Sequence, residues 1–383
     1  MIGLSLSEDE VRDLAGRVVR ESLRIGRRSG GGYESVRIGY NSTDPTCEDF
    51  ALRVEEECWK VGAHTILLPY SSRRERLRFT LSPEDSLREV SPMAKALARN
   101  VDATIYIGEQ DQPGWASGLH DRVRLSAPGR ELIRRILDRR RVKWLYFGWP
   151  IPGAAEYYGM PVEEFRRIFF NAIRSSYSGE LRELTSTYRR SLEGRSLIRI
   201  SHEDGSMLEF RIDGRPILVD DGVLSDEDLA RGDVGLNIPC GEVFVAPLET
   251  TANGRIRFER THISGFGEAE GLEVSFRRGR ITGFEAEKGA ENLKAFLDAN
   301  TGDKDRIGEF GIGCNPGAEY TGGSIIVDEK IYGTIHIAIG NNTGSYHGRN
   351  RASSHLDLIK DMRGGVVEAD GVEIMKYGKP SVD

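Results

Sequence analysis

Residues 197–222 read LIRISHEDGSMLEFRIDGRPILVDDG. Apolar and polar side chains alternate through LIRIS and MLEFRI, and EDG and IDG supply tight turns between the runs. A period of two punctuated by such turns predicts an antiparallel β-meander. Nothing upstream has this pattern, so the chain changes architecture near Gly194. The expected division is 1–194 as an N-terminal domain and 195–383 as a C-terminal one.

Upstream, four short apolar runs stand out: VRIGY (36–40), HTILLPY (64–70), ATIYIGE (103–109) and VKWLYFGW (142–149). Amphipathic stretches such as CEDFALRVEEECWKVGA (47–63) and MAKALARNV (93–101) separate them, and residues 9–27 also carry helical spacing. Strands alternating with helices predict a Rossmann-like parallel α/β sheet, its strands covered on both faces. No GxGxxG follows the first strand, so a dinucleotide site is not supported. The stretch 161–193 reads as one or two helices with a proline start. Downstream, 271–289 reads as a hairpin around Arg278-Gly279 and 290–302 as a short helix. The fold class is therefore α/β plus β-rich, with a mainly antiparallel C-terminal domain.

Bulk properties narrow the function. The chain has 383 residues, 38 % hydrophobic and 30 % charged, as expected of a globular protein. Its formal net charge of -7 argues against a general nucleic-acid binder. No apolar run approaches the roughly 18 residues a membrane span needs. The N-terminus turns acidic before a signal-peptide core can form, so cytoplasmic residence is expected. The four cysteines, Cys47, Cys58, Cys240 and Cys314, form no CxxC pair and are expected to be buried free thiols.

Metal-ligand side chains collect in the C-terminal half. IPCGEVFVAPLETTANG (238–254) carries Glu242 and Glu249, IGEFGIGCNPGA (307–318) carries Glu309, DEKIYGTIHIAIGNN (328–342) carries His336, and SSHLDL (353–358) carries His355 and Asp357. In an extended segment, side chains two apart share a face, so His355 and Asp357 can meet one ion. The same rule puts Thr334, His336 and Ala338 opposite Ile335, Ile337 and Ile339, with Gly333 and Gly340 leaving room beside the histidine. Taken singly, a histidine on a strand or a glutamate after a glycine is usually structural; collected in one domain, they point to a metal site. Imidazoles with carboxylates suit zinc, cobalt, manganese or iron. Three carboxylates and two imidazoles exceed one tetrahedral ion and suit a pair sharing a carboxylate.

GEVFVAPLE, IGEFGIGCNP, DEKIYGTIHIAIG and HLD, in this order, resemble the signature segments of the thermophilic metalloaminopeptidases (the M29, or aminopeptidase T/S, group). IPGAAEYYGMPVEEF and DGVLSDEDLARGDVGLNIPCGE extend the resemblance toward the N-terminus. The resemblance implies that Glu242, Glu309, His336, His355 and Asp357 bind two divalent ions (Zn2+, Co2+ or Mn2+). It implies a homodimer and a peptide substrate cleaved at its first bond; the charge and the lack of a long apolar run already speak against a nucleic-acid or membrane partner. The family's tyrosine ligand would fall at Thr343 here; Tyr346 is the nearest tyrosine, with Asn341, Asn342 and His347 as further candidates. No residue is assigned as general base, a glutamate near the site being one that could serve. Two alternatives stand beside this reading. His336, His355 and Asp357 alone form the 2-His-1-carboxylate set of a mononuclear iron ring-cleaving dioxygenase, a chemistry found among relatives acting on dihydroxypyridines. The other is a non-catalytic metal-binding member.

Overall fold

The computed structural model describes residues 6–263 and 265–381. The chain divides into two compact units, Met1–Phe170 with Gly222–Ile238 and Asn171–Asp221 with Pro239–Asp383. The division thus falls inside the helix Val162–Ser175 rather than near Gly194. The next helix, Gly179–Leu192, contributes Tyr188 and Leu192 to the core of the second unit. Its apolar face, not its helical character, decides where it belongs.

The first unit holds a five-stranded parallel sheet in the order His64–Tyr70, Ser35–Asn41, Ala103–Ile107, Lys143–Phe147, Gly235–Ile238. The helix Pro45–Lys60 makes the first crossover. Asp44 caps its first turn, and Phe50, Ala51, Val54 and Cys58 form its buried face. Coverage on both faces suits Ser35–Asn41, but His64–Tyr70 lies at the sheet edge and leaves Ile66 43 % exposed. The fifth strand returns from far down the chain, pairing Trp144 with Gly235 and Phe147 with Ile238.

The second unit contains two antiparallel sheets. Eight strands form one, built from the first two strands of the predicted meander (Leu197–His202 and Met207–Arg211), the long hairpin Asn253–Ile263 and Gly267–Arg277 with Arg280–Glu285, and the C-terminal strands; the meander's third strand, Leu218–Asp220, crosses to the other sheet. The hairpin predicted around Arg278-Gly279 is present, both residues at positive φ (49° and 77°) as a tight two-residue turn requires. Five strands form the other sheet, ordered His355–Asp361, Thr334–Gly340, Ile307–Gly313, Glu242–Val245, Leu218–Asp220. Their inner faces share one core. Ile200, Phe210, Ile256, Phe258 and Val274 come from the first sheet; Val243, Phe310, Ile312, Ile335, Ile337 and Ile339 come from the second. Each such side chain contributes roughly 1.5–3 kcal/mol by leaving water. A one-residue slip would turn the whole isoleucine row outward, so burial fixes the register. The opposite face of the five-stranded sheet is left to carry polar groups.

Candidate metal centre

Strand register explains which side chains meet. Across the five-stranded sheet, Glu309 opposes Ala338, which opposes Asp357. One step along, Gly311 opposes His336, and Gly313 opposes Glu242. Directly opposed residues share a face, so Glu242, Glu309, His336 and Asp357 project together, away from the isoleucine core. Strict alternation from the buried Ile307 would send Glu309 into that core. A bulge between Ile307 and Glu309 absorbs one residue, so that Ile307 and Phe310 stay buried inside while Glu309 turns outward.

Room for the His336 ring comes from Gly311 rather than from Gly333 or Gly340. A Cβ at Gly311 would lie 2.0 Å from His336 Nε2, whereas one at Gly340 would meet the Ser354 carbonyl oxygen. His336 is fully buried, and its Nε2 sits 3.4 Å from Glu309 Oε1 and 3.5 Å from Glu242 Oε2. The second histidine takes the other oxygen of Glu309: His355 Nε2 lies 3.1 Å from Glu309 Oε2 and 3.2 Å from Asp357 Oδ1. Its Nδ1 donates to the Asn341 carbonyl at 2.8 Å, which leaves Nε2 as the acceptor a cation needs. Two clusters result, Glu242–Glu309–His336 and Glu309–His355–Asp357, with Glu309 common to both.

The donors fit divalent ions. Glu242 Oε2, the oxygen that faces His336 Nε2, is buried without a hydrogen-bond partner, a costly state for a group that nothing satisfies. Imidazole and carboxylate are also the ligand types expected for zinc, cobalt or manganese. A third cluster, His202, Asp204 and Glu259, is different. The buried ammonium of Lys360 lies 2.7 Å from Asp204 and 3.1 Å from Glu259, filling the place of a cation.

The loop after His336 places each remaining candidate. Tyr346 enters the site: its ring packs against Phe244 and His355, and its phenol lies near enough to feel the charges of Glu309, Glu242 and Asp357. Burial and the surrounding carboxylates push its phenol well above the usual range, so it stays protonated. Thr343 instead donates to the Asn341 side chain, and Asn342 bonds the Gly308 carbonyl and the Asn350 amide. His347 is exposed at positive φ, its backbone amide donating to the Gly344 carbonyl and its own carbonyl accepting from Arg215. Glu249 is likewise turned away, clamped by Arg215 at 2.7 and 2.8 Å. The four cysteines are free and buried, as expected.

Two residues escaped the sequence reading. Glu329 and Lys330 sit in DEKIYG, which reads as a solvated charged turn. Lys330 is fully buried and pairs with both Glu242 and Glu329, with Asp220 at 3.8 Å. Burial raises the Glu329 carboxyl; Lys330 opposes this and Asp357 adds to it. Burial likewise pushes Glu242 up to about 8 against the pull of Lys330. Burial would also raise Glu309, yet its hydrogen bonds to both histidines hold it well below the ordinary range. His336, lowered by burial but raised more by Glu309 and Glu242, reaches about 9; His355 also rises, chiefly through Asp357 and Glu309.

Comparison with known proteins agrees with this geometry. The model of the thermophilic metalloprotease family M29 matches residues 40–379. The chain belongs to that family and is, by that membership, a metal-dependent hydrolase of the metalloaminopeptidase type. Among curated relatives, it is 25 % identical over 316 residues to aminopeptidase T of Thermus thermophilus, covering 73 % of this chain and 75 % of that protein. A shorter stretch of 76 residues, 20 % of this chain and 18 % of the relative, is 34 % identical to aminopeptidase 2 of Geobacillus stearothermophilus. In three dimensions the chain resembles AmpT from Thermus thermophilus with a TM-score of 0.73 at 22 % identity, covering 97 % of this chain and 99 % of that one. A 2,5-dihydroxypyridine dioxygenase from Pseudomonas putida KT2440 shares the fold at a TM-score of 0.63 and 14 % identity, with 99 % of both chains covered.

Two outcomes follow from the geometry. Gly311→Ala pushes the His336 ring off the strand and weakens zinc binding by roughly tenfold or more; affinity equal to wild type would contradict the assigned packing. Glu242 and both histidines hold protons at neutral pH, and a bound cation must displace them. Zinc affinity of the metal-free protein therefore rises as pH increases through about 8 to 9. Titration calorimetry in buffers of different ionisation enthalpy reads the released protons; no proton release at pH 7 would contradict it.

Proposed function

We propose that this protein is an aminopeptidase releasing N-terminal residues from peptides at a dinuclear centre. Glu242, Glu309 and His336 hold one ion, Glu309, His355 and Asp357 the other. The observation that carries this reading is the division of the Glu309 carboxylate, one oxygen facing His336 and the other His355. Zinc, cobalt and manganese are the candidate ions. Bound there, such ions supply Lewis acidity and an activated water as nucleophile.

The chain's own groups perform the rest. Glu329 gives one oxygen to Lys330 and keeps the other for a proton. A half-buried carboxyl raised from its ordinary value is suited to taking a proton from the attacking water and passing it to the leaving amine. Tyr346, a protonated phenol packed against His355, lines the same cavity beside Glu309. The free α-amine of a peptide end, neutral when bound, would be one more ligand for an ion held here, which restricts action to chain ends. Homodimer formation and cytoplasmic residence belong to the same proposal; among the described residues no helix is long and apolar enough to cross a membrane.

The expected result is release of free amino acids from short peptides when zinc, cobalt or manganese is added, abolished by chelator. Glu329→Gln is expected to lower kcat on the order of 100-fold or more while metal content is unchanged. Chelator-insensitive release, or full turnover by the variant, would contradict the proposal. One iron per chain with oxygen consumption on a dihydroxypyridine would favour the dioxygenase alternative instead.

A further inference from the structure

A lysine with no exposed surface is expensive to bury unless its charge is matched. Lys330 is matched by three carboxylates, but not equally. It pairs with Glu242 through Oε1 and with Glu329, while Asp220 stands off at 3.8 Å. None of its hydrogen bonds or ion pairs reaches Glu309, His355 or Asp357. The Lys360 cluster provides the contrast. There the ammonium bonds Asp204, Glu259 and the Arg257 carbonyl together and occupies the centre. Lys330 instead grips the far oxygen of one ligand from behind.

Occupation of Oε1 leaves Oε2 as the only free oxygen of Glu242. That atom is buried, without a partner, and 3.5 Å from His336 Nε2. We infer that Lys330 is the positioning residue of the Glu242–Glu309–His336 site, fixing Glu242 as a single-oxygen ligand and keeping Glu329 beside the cage rather than among the ligands. This rests on the reading of the cage as a metal centre. Without the ammonium, Glu242 is free to rotate, and Glu329 is free to compete for the cation. Hydrogen-bond partners of ligating carboxylates orient them in this way and change metal affinity when removed.

Zinc binding to the metal-free full chain, measured by competition with a chromophoric chelator, tests this as a double-mutant cycle. An Asp357→Ala background disables the Glu309–His355–Asp357 site; a Glu242→Ala background disables the other. Adding Lys330→Met should weaken zinc binding roughly 10- to 100-fold in the first background and change it by less than about threefold in the second. Lys330→Gln keeps a donor for Glu242 Oε1 without the charge, and should restore most of the lost affinity. Melting curves of each metal-free variant separate lost positioning from lost folding. An equal effect in both backgrounds, no effect in the Asp357→Ala background, or no recovery with Lys330→Gln would overturn the inference. Wild-type stoichiometry comes from the same titration. One zinc per chain would contradict the dinuclear proposal, while the Lys330 comparison in the Asp357→Ala background still stands or falls by its own result.

Discussion

The row Ile335, Ile337 and Ile339 is the constraint on which the rest depends. These side chains are fully buried against the facing sheet, and each exposes apolar surface if the strand slips. Because strand side chains alternate, burial of the isoleucines sends Thr334, His336 and Ala338 to the other face. Pairing with Ile307–Gly313 and His355–Asp361 then brings Glu309 and Asp357 alongside. Only the bulge before Glu309 breaks the alternation, and it does so where the shared carboxylate must leave the core. The apolar core thus sets the spacing of the polar cage.

Electrostatics complete the cage. Asp220, Glu242, Glu309, Glu329 and Asp357 gather around it with a single ammonium, Lys330, among them. Such a concentration of buried carboxylates is unfavourable unless cations or protons neutralise it. Without a cation, burial raises the Glu242 carboxyl, and the neighbouring carboxylates raise both histidines, so each holds its proton more tightly. Two divalent ions with Lys330 would balance five carboxylates, whereas one would leave a deficit. The Lys360 cluster shows the other solution, an internal ammonium in place of an external ion.

Much of this was legible in the sequence, for physical reasons that also mark its limits. The first four parallel strands announce themselves by continuous apolar runs, and the meander by its period of two. Gly235–Ile238 did not, because GLNI is short and interrupted by asparagine; only pairing with Lys143–Phe147 makes it a strand. The compact units do not divide at Gly194: helical spacing shows that Gly179–Leu192 is a helix but not which core receives its face. At the site, the His355–Asp357 spacing and the His336 alternation were visible locally. Gly311, Glu329 and Lys330 were not. Their roles arise from contacts across strands, with Lys330 and Glu242 lying 88 positions apart. Tyr346 was visible as a residue, but the loop fold that carries it to Glu309 was not.

The central claim is that Glu309 joins two ion sites. A crystal structure of zinc-loaded protein, with anomalous scattering collected at the zinc edge, tests it most directly. The account predicts two peaks about 3.5–4 Å apart, one among Glu242, Glu309 and His336 and the other among Glu309, His355 and Asp357. A single peak held by His336, His355 and Asp357 alone, with Glu309 unbound, would contradict it.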